Sequence, residues 1–342
     1  MIARTGGRRL IALLGVAAAV GPWSAVPAVA DPPSVVTVFP GAARHVSMVV
    51  DVGAGTEPVQ PGAVTVTVHG VKQPTTVVPV LSDRLSTGLV IDASTGPGNS
   101  TQPWLSGAAR FALEAPVASR TAVIVDGAPP TLAARLQQGP VDAVRAISHV
   151  QPHGARHTSD ALTLAVRQLP AGPADPRLVV LYTSAADAGG EPAGDLGARL
   201  KDAHTILVVV STTADTRYWS DVTHATGGFL APAGPATVTP AFDQVATLLR
   251  ARYLLTMPTP DPLPALASVR IETREMTLTA DAVVPAPVAS KPARSYLQRN
   301  RASLLTLAVL LLVAVLTLVA RAAVPVLTRR LRDRTPAQRG PG

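Results

Sequence analysis

The sequence predicts an α/β domain with a central, mostly parallel sheet covered by helices on both faces, flanked by a small β-rich segment and followed by one transmembrane helix. Continuously apolar runs, typical of strands buried on both faces, occupy residues 88–92, 121–126, 177–183 and 205–210. Stretches with apolar residues at three-to-four spacing lie between and after these runs, at 103–115, 141–148, 159–169, 194–203 and 241–250. Buried strands that alternate with amphipathic helices indicate a parallel sheet with helices on both sides.

A β-rich segment at 31–84 precedes the α/β domain, which is placed at 85–257. Short β-branched runs between residues 34 and 82 are separated by Pro and Gly, and the apolar alternation from Val64 to Val68 is typical of a half-buried strand. The segment is therefore predicted to form a small β-sandwich or half of one. Residues 258–284 are again strand-like, and we expect that they can pair with the first segment.

The two ends of the chain predict export and membrane anchoring. Residues 1–30 combine three Arg, an apolar core and the small-residue run Ala28-Val29-Ala30, which is the pattern of a cleaved signal peptide. After a stalk at 285–301, residues 302–324 are predicted to form a transmembrane helix, because 302–320 contain no charged residue. A basic cytoplasmic tail at 325–342 follows. The prediction is a single-pass cell-membrane protein with an extracytoplasmic N-terminal ectodomain.

The net charge of +8 does not indicate nucleic-acid binding. Residues 31–290 carry 17 Lys or Arg against 21 Asp or Glu, so the basic excess lies at the chain ends and beside the apolar segment. A mildly acidic ectodomain is a poor partner for a polyanion. The chain has no Cys, so we expect the exported fold to be stabilised by its core without disulfides.

Six segments carry a resemblance to a known family. They are VHGVKQPTTVVPV, STGLVIDASTG, GARHTSDALTLAV, RLVVLYTSAAD, DVTHATGGFLAP and FDQVATLLRARYLLTMPTP. In this order they resemble a bacterial von Willebrand factor type A (VWA) domain preceded by a short β-rich segment. The resemblance implies a Rossmann-type fold and a binding module whose contact loops lie at the carboxyl ends of the strands.

The VWA resemblance also implies a metal site. In the family, a D-x-S-x-S loop, a Thr and a second Asp from neighbouring loops bind a divalent cation through oxygen atoms. By that resemblance, the metal ligands of this chain are Asp92, Ser94 and Thr158. Gly96 stands where the second Ser is expected and Ser184 where the second Asp is expected, so Asp92 is the only charged ligand that matches.

Loss of half the anionic charge weakens the binding of a hard cation, so we expect no cofactor at this site. In the alternative, Mg²⁺ or Mn²⁺ binds with Asp187 or Asp126 as the substitute carboxylate. The same residues also have structural interpretations, with Thr158 at a helix N-terminus and with Asp92 and Ser94 in a turn that closes a strand.

Three histidines have a spacing that suggests a second metal site. His149, His153 and His157 lie four residues apart, as in helical Zn²⁺ sites. Pro152 and Gly154 oppose a continuous helix there, so we expect structural or surface roles for these histidines.

These observations predict a cell-envelope protein that binds a protein partner without metal. Contact loops are expected at 93–101, 155–159 and 184–191, with a binding face formed by Ser94, Thr95, His157, Thr158, Ser184 and Asp187. A divalent-cation-dependent adhesion module is the alternative. The sequence has no nucleophile elbow, phosphate-binding loop or zinc-protease motif, so we do not expect an enzyme. A hydrolase that uses Asp92 and Asp126 is a further alternative.

Overall fold

The structure is a computed structural model that describes residues 34–39, 44–53, 56–96, 101–233, 242–274 and 277–286. The predicted signal peptide at 1–30, transmembrane helix at 302–324 and basic tail at 325–342 lie outside these ranges, as does the stalk beyond residue 286. Within the described ranges, no helix has both the length and the apolar character that a membrane span requires.

Three groups of elements follow one another along the chain. The first group has five strands: β1 (Ser34–Phe39), β2 (His45–Asp51), β3 (Val64–Val68), β4 (Val71–Gln73) and β5 (Thr76–Pro79). The second group alternates strands and helices: β6 (Ser86–Asp92), α1 (Thr101–Glu114), β7 (Arg120–Asp126), β8 (Thr131–Gln138), α2 (Val141–Ser148), α3 (Thr158–Gln168), β9 (Arg177–Thr183), α4 (Ala193–Asp202), β10 (Ile206–Ser211), α5 (Arg217–Ala225), β11 (Phe229–Pro232) and α6 (Phe242–Arg250). The third group has three strands: β12 (Arg252–Pro258), β13 (Ala265–Glu272) and β14 (Thr277–Val284).

The second group forms a six-stranded sheet in the order β11-β10-β9-β6-β7-β8, in which only β8 is antiparallel to its neighbour. α1, α2 and α6 pack on one face of this sheet, and α3, α4 and α5 pack on the other. Every residue of β6 is buried because both of its faces are covered. The predicted α/β sheet is confirmed. Since the strand order reverses around β6, the loops at its carboxyl end are the expected place for a binding site.

The first and third groups form a β-sandwich of two four-stranded sheets, β1-β2-β12-β5 and β14-β13-β3-β4. Side chains from both sheets, such as Met48 and Val66, share one core. The other face of the first sheet packs on the α/β unit, where Val49 and Leu254 join the core that contains α1 and α6. The first sheet is therefore a middle layer, and residues 46–50 of β2 are all buried because the strand is covered on both faces.

The structure contains two elements that the sequence did not predict, β8 and α5. It also places β12 beside β2 and β5 in the sandwich, whereas the sequence assigned residues up to 257 to the α/β domain. Consecutive residues of β12 face different cores, with Leu254 towards the α/β unit and Leu255 towards the second sheet. A strand buried on both faces has the same apolar pattern in either sheet, so composition could not distinguish the two positions.

Candidate functional site at the carboxyl edge of the sheet

Three neighbouring strands end at the same edge of the six-stranded sheet and bring polar side chains together. Asp92 and Asp126 are the last residues of β6 and β7 and lie side by side in the parallel ladder. Thr183 ends β9, on the other side of β6. All three residues are 0% exposed. Parallel strands present their carboxyl ends at one edge, so the loops that follow them meet here.

The Asp92 carboxylate is surrounded by hydrogen-bond donors. Its Oδ1 accepts bonds from the backbone N of Ser94 at 3.1 Å and from the Ser94 hydroxyl at 2.6 Å. Its Oδ2 accepts bonds from the Thr183 hydroxyl at 3.0 Å and from Nε of Arg156 at 2.8 Å. Both oxygens are satisfied by the protein itself, as a buried carboxylate requires.

Arg156 connects two of the loops at this edge. Besides its bond to Asp92, its Nη2 donates to the hydroxyl of Ser184 at 3.1 Å. The Arg156 side chain is 28% exposed, whereas that of Asp92 is 0% exposed. The guanidinium therefore supplies the counter-charge of a buried carboxylate and joins the loop after β9 to the loop after β6.

Asp126 holds the start of α3. Its Oδ1 accepts a bond from the His157 backbone N at 2.7 Å, and its Oδ2 accepts one from the Thr158 hydroxyl at 2.5 Å. Burial raises the pKa of Asp126 above its ordinary value and Asp92 adds to the rise, while the bonds from Thr158 and His157 and the charge of Arg156 oppose it. The N-terminal end of a helix favours a carboxylate, and Asp126 fixes His157 and Thr158, the residues at which α3 begins.

Backbone hydrogen bonds fasten the loop after β6 to the loop before α3. The backbone N and the hydroxyl of Thr95 each donate to the Gly154 carbonyl at 3.0 Å. The His153 backbone N donates to the Ala93 carbonyl at 2.8 Å, and the Ala93 backbone N donates to the carbonyl of Asp126 at 3.1 Å. These bonds fix the backbone of the loop before α3, which carries Arg156.

A second arginine fixes the loop between β9 and α4. Arg199 makes two bonds to the Glu191 carboxylate, from Nη2 to Oε2 at 2.7 Å and from Nε to Oε1 at 3.1 Å. Ser159 donates its hydroxyl to the same carboxylate, and Nη1 of Arg199 donates to the Thr163 hydroxyl at 2.7 Å. An arginine–carboxylate pair with two parallel bonds has a defined geometry, so the 184–191 loop is held against α3 by side chains.

The residues of the predicted binding face divide into two groups by exposure. The exposed or half-buried members are Thr95, His157, Ser184 and Asp187. The buried members are Ser94 and Thr158, whose hydroxyls donate within the protein. Asp187 accepts a bond from the Gly189 backbone N at 2.7 Å, within its own loop. No hydrogen bond or ion pair in the described part of the chain joins Asp187 to Asp92.

The ligands implied by the VWA resemblance do not fit a divalent cation in this arrangement. Arg156 places a positive charge 2.8 Å from Oδ2 of Asp92, and a second cation at that oxygen would be repelled. The hydroxyls of Ser94 and Thr158 donate their protons to carboxylates. Among the described residues, no three His, Cys, Asp or Glu side chains are grouped as a metal site.

The three equally spaced histidines do not share a helix. α2 ends at Ser148 and α3 begins at Thr158, with His149, His153 and His157 in or beside the connecting segment. His149 and His153 line an open groove of about 790 Å³ between β8 and α2. Their spacing therefore does not create a shared metal-facing surface.

Sequence reasoning missed Arg156. An Arg in a loop is usually a solvated surface charge, and no motif marks this one. The available signal was indirect. Asp92 ends a strand that is predicted to be buried, and Ser184 stands at the position where the metal site has its second Asp. Because we expect no metal ion to balance the Asp92 carboxylate after that substitution, another positive charge was needed nearby.

Comparisons with known proteins find similar folds among solved structures. No model of a known protein family matches the chain, and no curated protein matches it. An aerotolerance-related membrane protein from Bacteroides fragilis aligns with 49% of this chain and 98% of its own, at 11% identity and a TM-score of 0.39. The VWA domain of SpRpn10 aligns with 45% of this chain and 92% of its own, at 12% identity and a TM-score of 0.36. Proximal thread matrix protein 1 from the mussel byssus, with a zinc-occupied MIDAS motif, aligns with 55% of this chain and 50% of its own, at 15% identity and a TM-score of 0.42.

The topology of the chain places the family-like segments where the resemblance requires them. The loop with Asp92 and Ser94 follows the central strand, Thr158 begins α3, and Ser184 follows the fourth strand of the six-stranded sheet in chain order. The Gly227-Gly228 pair leads into β11. The second group of elements is therefore a VWA-like α/β domain, with other residues at two of the positions that bind metal in that family.

Proposed function

We propose that this chain is a membrane-anchored, extracytoplasmic interaction module that binds a protein partner at the carboxyl edge of its six-stranded sheet, without a metal ion. The observation that carries the proposal is the bridge from Arg156 to Asp92 and Ser184, at 2.8 and 3.1 Å. This bridge joins the contact loops through the positively charged guanidinium of Arg156, so no bound metal ion is needed. Residues 302–324 are proposed to anchor the module in the membrane, because 302–320 contain no charged residue.

The hydrogen bonding of the two carboxylates supports a binding role over a hydrolytic one. Asp92 is held by donors on both oxygens, and Asp126 is held at the start of α3. Both residues are 0% exposed. A general base or nucleophile must reach its substrate within hydrogen-bonding distance, so a carboxylate pair buried in this way is poorly placed for that chemistry.

Three exposed side chains give the edge a surface on which a partner can rest. Thr95 follows β6, His157 precedes α3 and Asp187 lies in the loop after β9. Each belongs to a different loop, and the loops are joined by Arg156 and by the Arg199–Glu191 pair. A preorganised surface loses less conformational entropy on binding than a flexible one.

The test is site-specific photo-crosslinking of the full-length chain in its native membrane. A photoreactive side chain at Thr95 should give a discrete adduct, and the yield should not change with EDTA. The matched control is Leu113, which is 60% exposed on the last turn of α1, towards the opposite edge of the sheet. Equal adducts from Leu113 would contradict the proposed contact face, and loss of the Thr95 adduct in EDTA would contradict metal independence.

A further inference from the structure

Arg156 contacts residues at two of the positions that the VWA resemblance assigns to metal ligands. One end of its guanidinium contacts Asp92, the residue that matches the charged ligand of the VWA metal loop. The other end contacts Ser184, the residue at the position of the second Asp. The two loops that a divalent ion would join are therefore joined here by one side chain.

The charge balance at this edge indicates the same role. Asp92 is 0% exposed, and its carboxylate forms an ion pair with Arg156. A buried ionised carboxylate is costly unless a positive charge and hydrogen-bond donors compensate it. Thr183 and Ser94 provide neutral donors, so the guanidinium provides the compensating charge.

We infer that Arg156 is a built-in cation that takes the place of a divalent ion, so that the contact face is assembled at all times and does not respond to metal concentration. The inference deepens the proposed function and rests on it for the meaning of the contact face. Its test needs no partner, because it measures unfolding. Failure of the stability test and failure of the crosslinking test can therefore be told apart.

The first measurement is urea unfolding of the full-length chain with and without about 10 mM Mn²⁺. At this concentration, a site with a dissociation constant of about 1 mM lowers the unfolding constant by roughly tenfold. Wild type should not respond. Arg156→Ala should raise the unfolding constant at least about tenfold, since it leaves a buried carboxylate without its counter-charge. Because the substitution also opens space beside Asp92, Mn²⁺ should recover a measurable part of the loss.

Two variants serve as controls for the Mn²⁺ effect. The double variant Asp92→Asn with Arg156→Ala lacks the Asp92 carboxylate, and its stability should not respond to Mn²⁺. Arg145→Ala removes an arginine whose side chain is 66% exposed and paired with Asp142, and it should leave both stability and the Mn²⁺ response as in wild type. A wild-type chain stabilised by Mn²⁺, or an Arg156→Ala chain that loses stability without any recovery in Mn²⁺, would overturn the inference.

A second pair of variants tests the charge if Arg156→Ala does not fold. Arg156→Lys keeps the positive charge but not the two-ended geometry, and Arg156→Gln introduces a side chain of similar size to Lys without the charge. If Arg156 acts as a built-in cation, Arg156→Lys should be more stable than Arg156→Gln, with an unfolding constant that is severalfold lower. Equal stability of the two variants would show that the charge is not what this position requires, and would overturn the inference.

Discussion

At the residue scale, Gly154 determines how the loop with Arg156 reaches the site. Its φ is +62°, a left-handed conformation that glycine adopts without strain. A Cβ on this residue would lie 2.9 Å from the backbone N of Ala128 and 3.0 Å from its carbonyl oxygen. The Gly154 carbonyl also accepts both bonds from Thr95, so any shift of this residue moves the loop after β6.

Gly154→Ala should therefore destabilise the fold through both strain and contact. The left-handed conformation alone costs an alanine about 1 to 2 kcal/mol, and the collision with the Ala128 backbone should add about another 1 kcal/mol. Gly139→Ala is the matched control, because Gly139 has a φ of +79° and a Cβ added to it would meet no atom within 4 Å. Urea unfolding of the two variants measures the difference. Equal losses would show that the Ala128 contact has no energetic role.

The residue types at the site were predictable only where a motif fixes their position. Asp92 ends a strand whose burial is visible in its composition, Ser94 follows that strand, and Thr158 begins a recognisable helix. Ser94 donates to Asp92 from its backbone N and its hydroxyl, which is the local turn interaction that the sequence suggests. The bonds from Arg156 to Asp92 and from Thr158 to Asp126 could not be predicted. Those contacts join residues that are distant in the chain, and their partners are chosen by packing rather than by spacing.

At the element scale, the turn that enters β11 shows why its short motif can be recognised in sequence. The Thr226 hydroxyl accepts a bond from the backbone N of Leu207 at 3.1 Å and donates to the Thr223 carbonyl at 2.9 Å. A Cβ on Gly228 would lie 1.7 Å from the carbonyl oxygen of Leu207, so only glycine fits there. Gly227 has a φ of +74° and lies against the sandwich. Each position tolerates few residue types, which makes the pattern specific.

β8 and α5 lack such constraints, and this explains why they were missed. After Thr131, the sequence of β8 contains Leu, Ala, Arg and Gln, which favour helices over strands. β8 is an edge strand with two irregularities in its pairing to β7. Half-buried and exposed residues alternate along most of it, but Ala133 occupies an exposed position, which hides the alternation in the sequence. α5 contains Tyr, Val and Thr, which have low helix propensity, and it is stabilised by the burial of Trp219 and Val222.

Arg252, the first residue of β12, joins the sandwich to the α/β unit. Its Nε donates to Asp51 at 3.1 Å, its Nη1 donates to the carbonyl of Gly227 at 2.6 Å, and its guanidinium lies 4.8 Å from the centre of the Phe229 ring. The Arg252 side chain is 8% exposed. Burial lowers the pKa of Arg252 from its ordinary value, and Asp51 opposes that shift. The interactions connect β2, β11 and β12 at one point.

Arg252→Ala should destabilise the folded chain by about 2 to 4 kcal/mol, because it leaves Asp51 and a buried carbonyl without their donor. The matched control is Arg270→Ala in β13, whose pair with Glu272 is exposed, at 58% and 62% for the two side chains. That change should stay within about 0.5 kcal/mol. Urea unfolding monitored by tryptophan fluorescence compares the two variants. A similar loss for both would contradict the proposed role of burial at the junction.

At the scale of the whole molecule, the shared middle sheet links the α/β unit to the sandwich. β12 is reached only after the entire α/β unit has been traversed, yet it lies between β2 and β5 from the start of the chain. The sequence indicated late strands that could pair with early ones, but not which ones. Register depends on which core each face contacts, and here one sheet contacts two cores.

The proposed anchoring can be tested on the whole chain because it contains no cysteine. If residues 302–320 form a helix as proposed, its length would be about 28 Å, close to the roughly 30 Å of bilayer hydrocarbon. With an exported N-terminal part, a single span leaves residues 325–342 in the cytoplasm. Gln138, exposed at the end of β8, and Thr335 in the tail should then lie on opposite sides of the membrane.

Single-cysteine variants Gln138→Cys and Thr335→Cys should therefore differ in labelling by a membrane-impermeant maleimide. In intact cells with a permeable outer layer, Gln138→Cys should be labelled and Thr335→Cys should be protected until the cells are lysed. The wild-type chain provides the blank, since it has no thiol to react. Both cysteines become accessible if the apolar segment does not span the bilayer, and the pattern reverses if the chain inserts with the opposite orientation. Labelling of Thr335→Cys in intact cells would thus contradict the proposed topology directly.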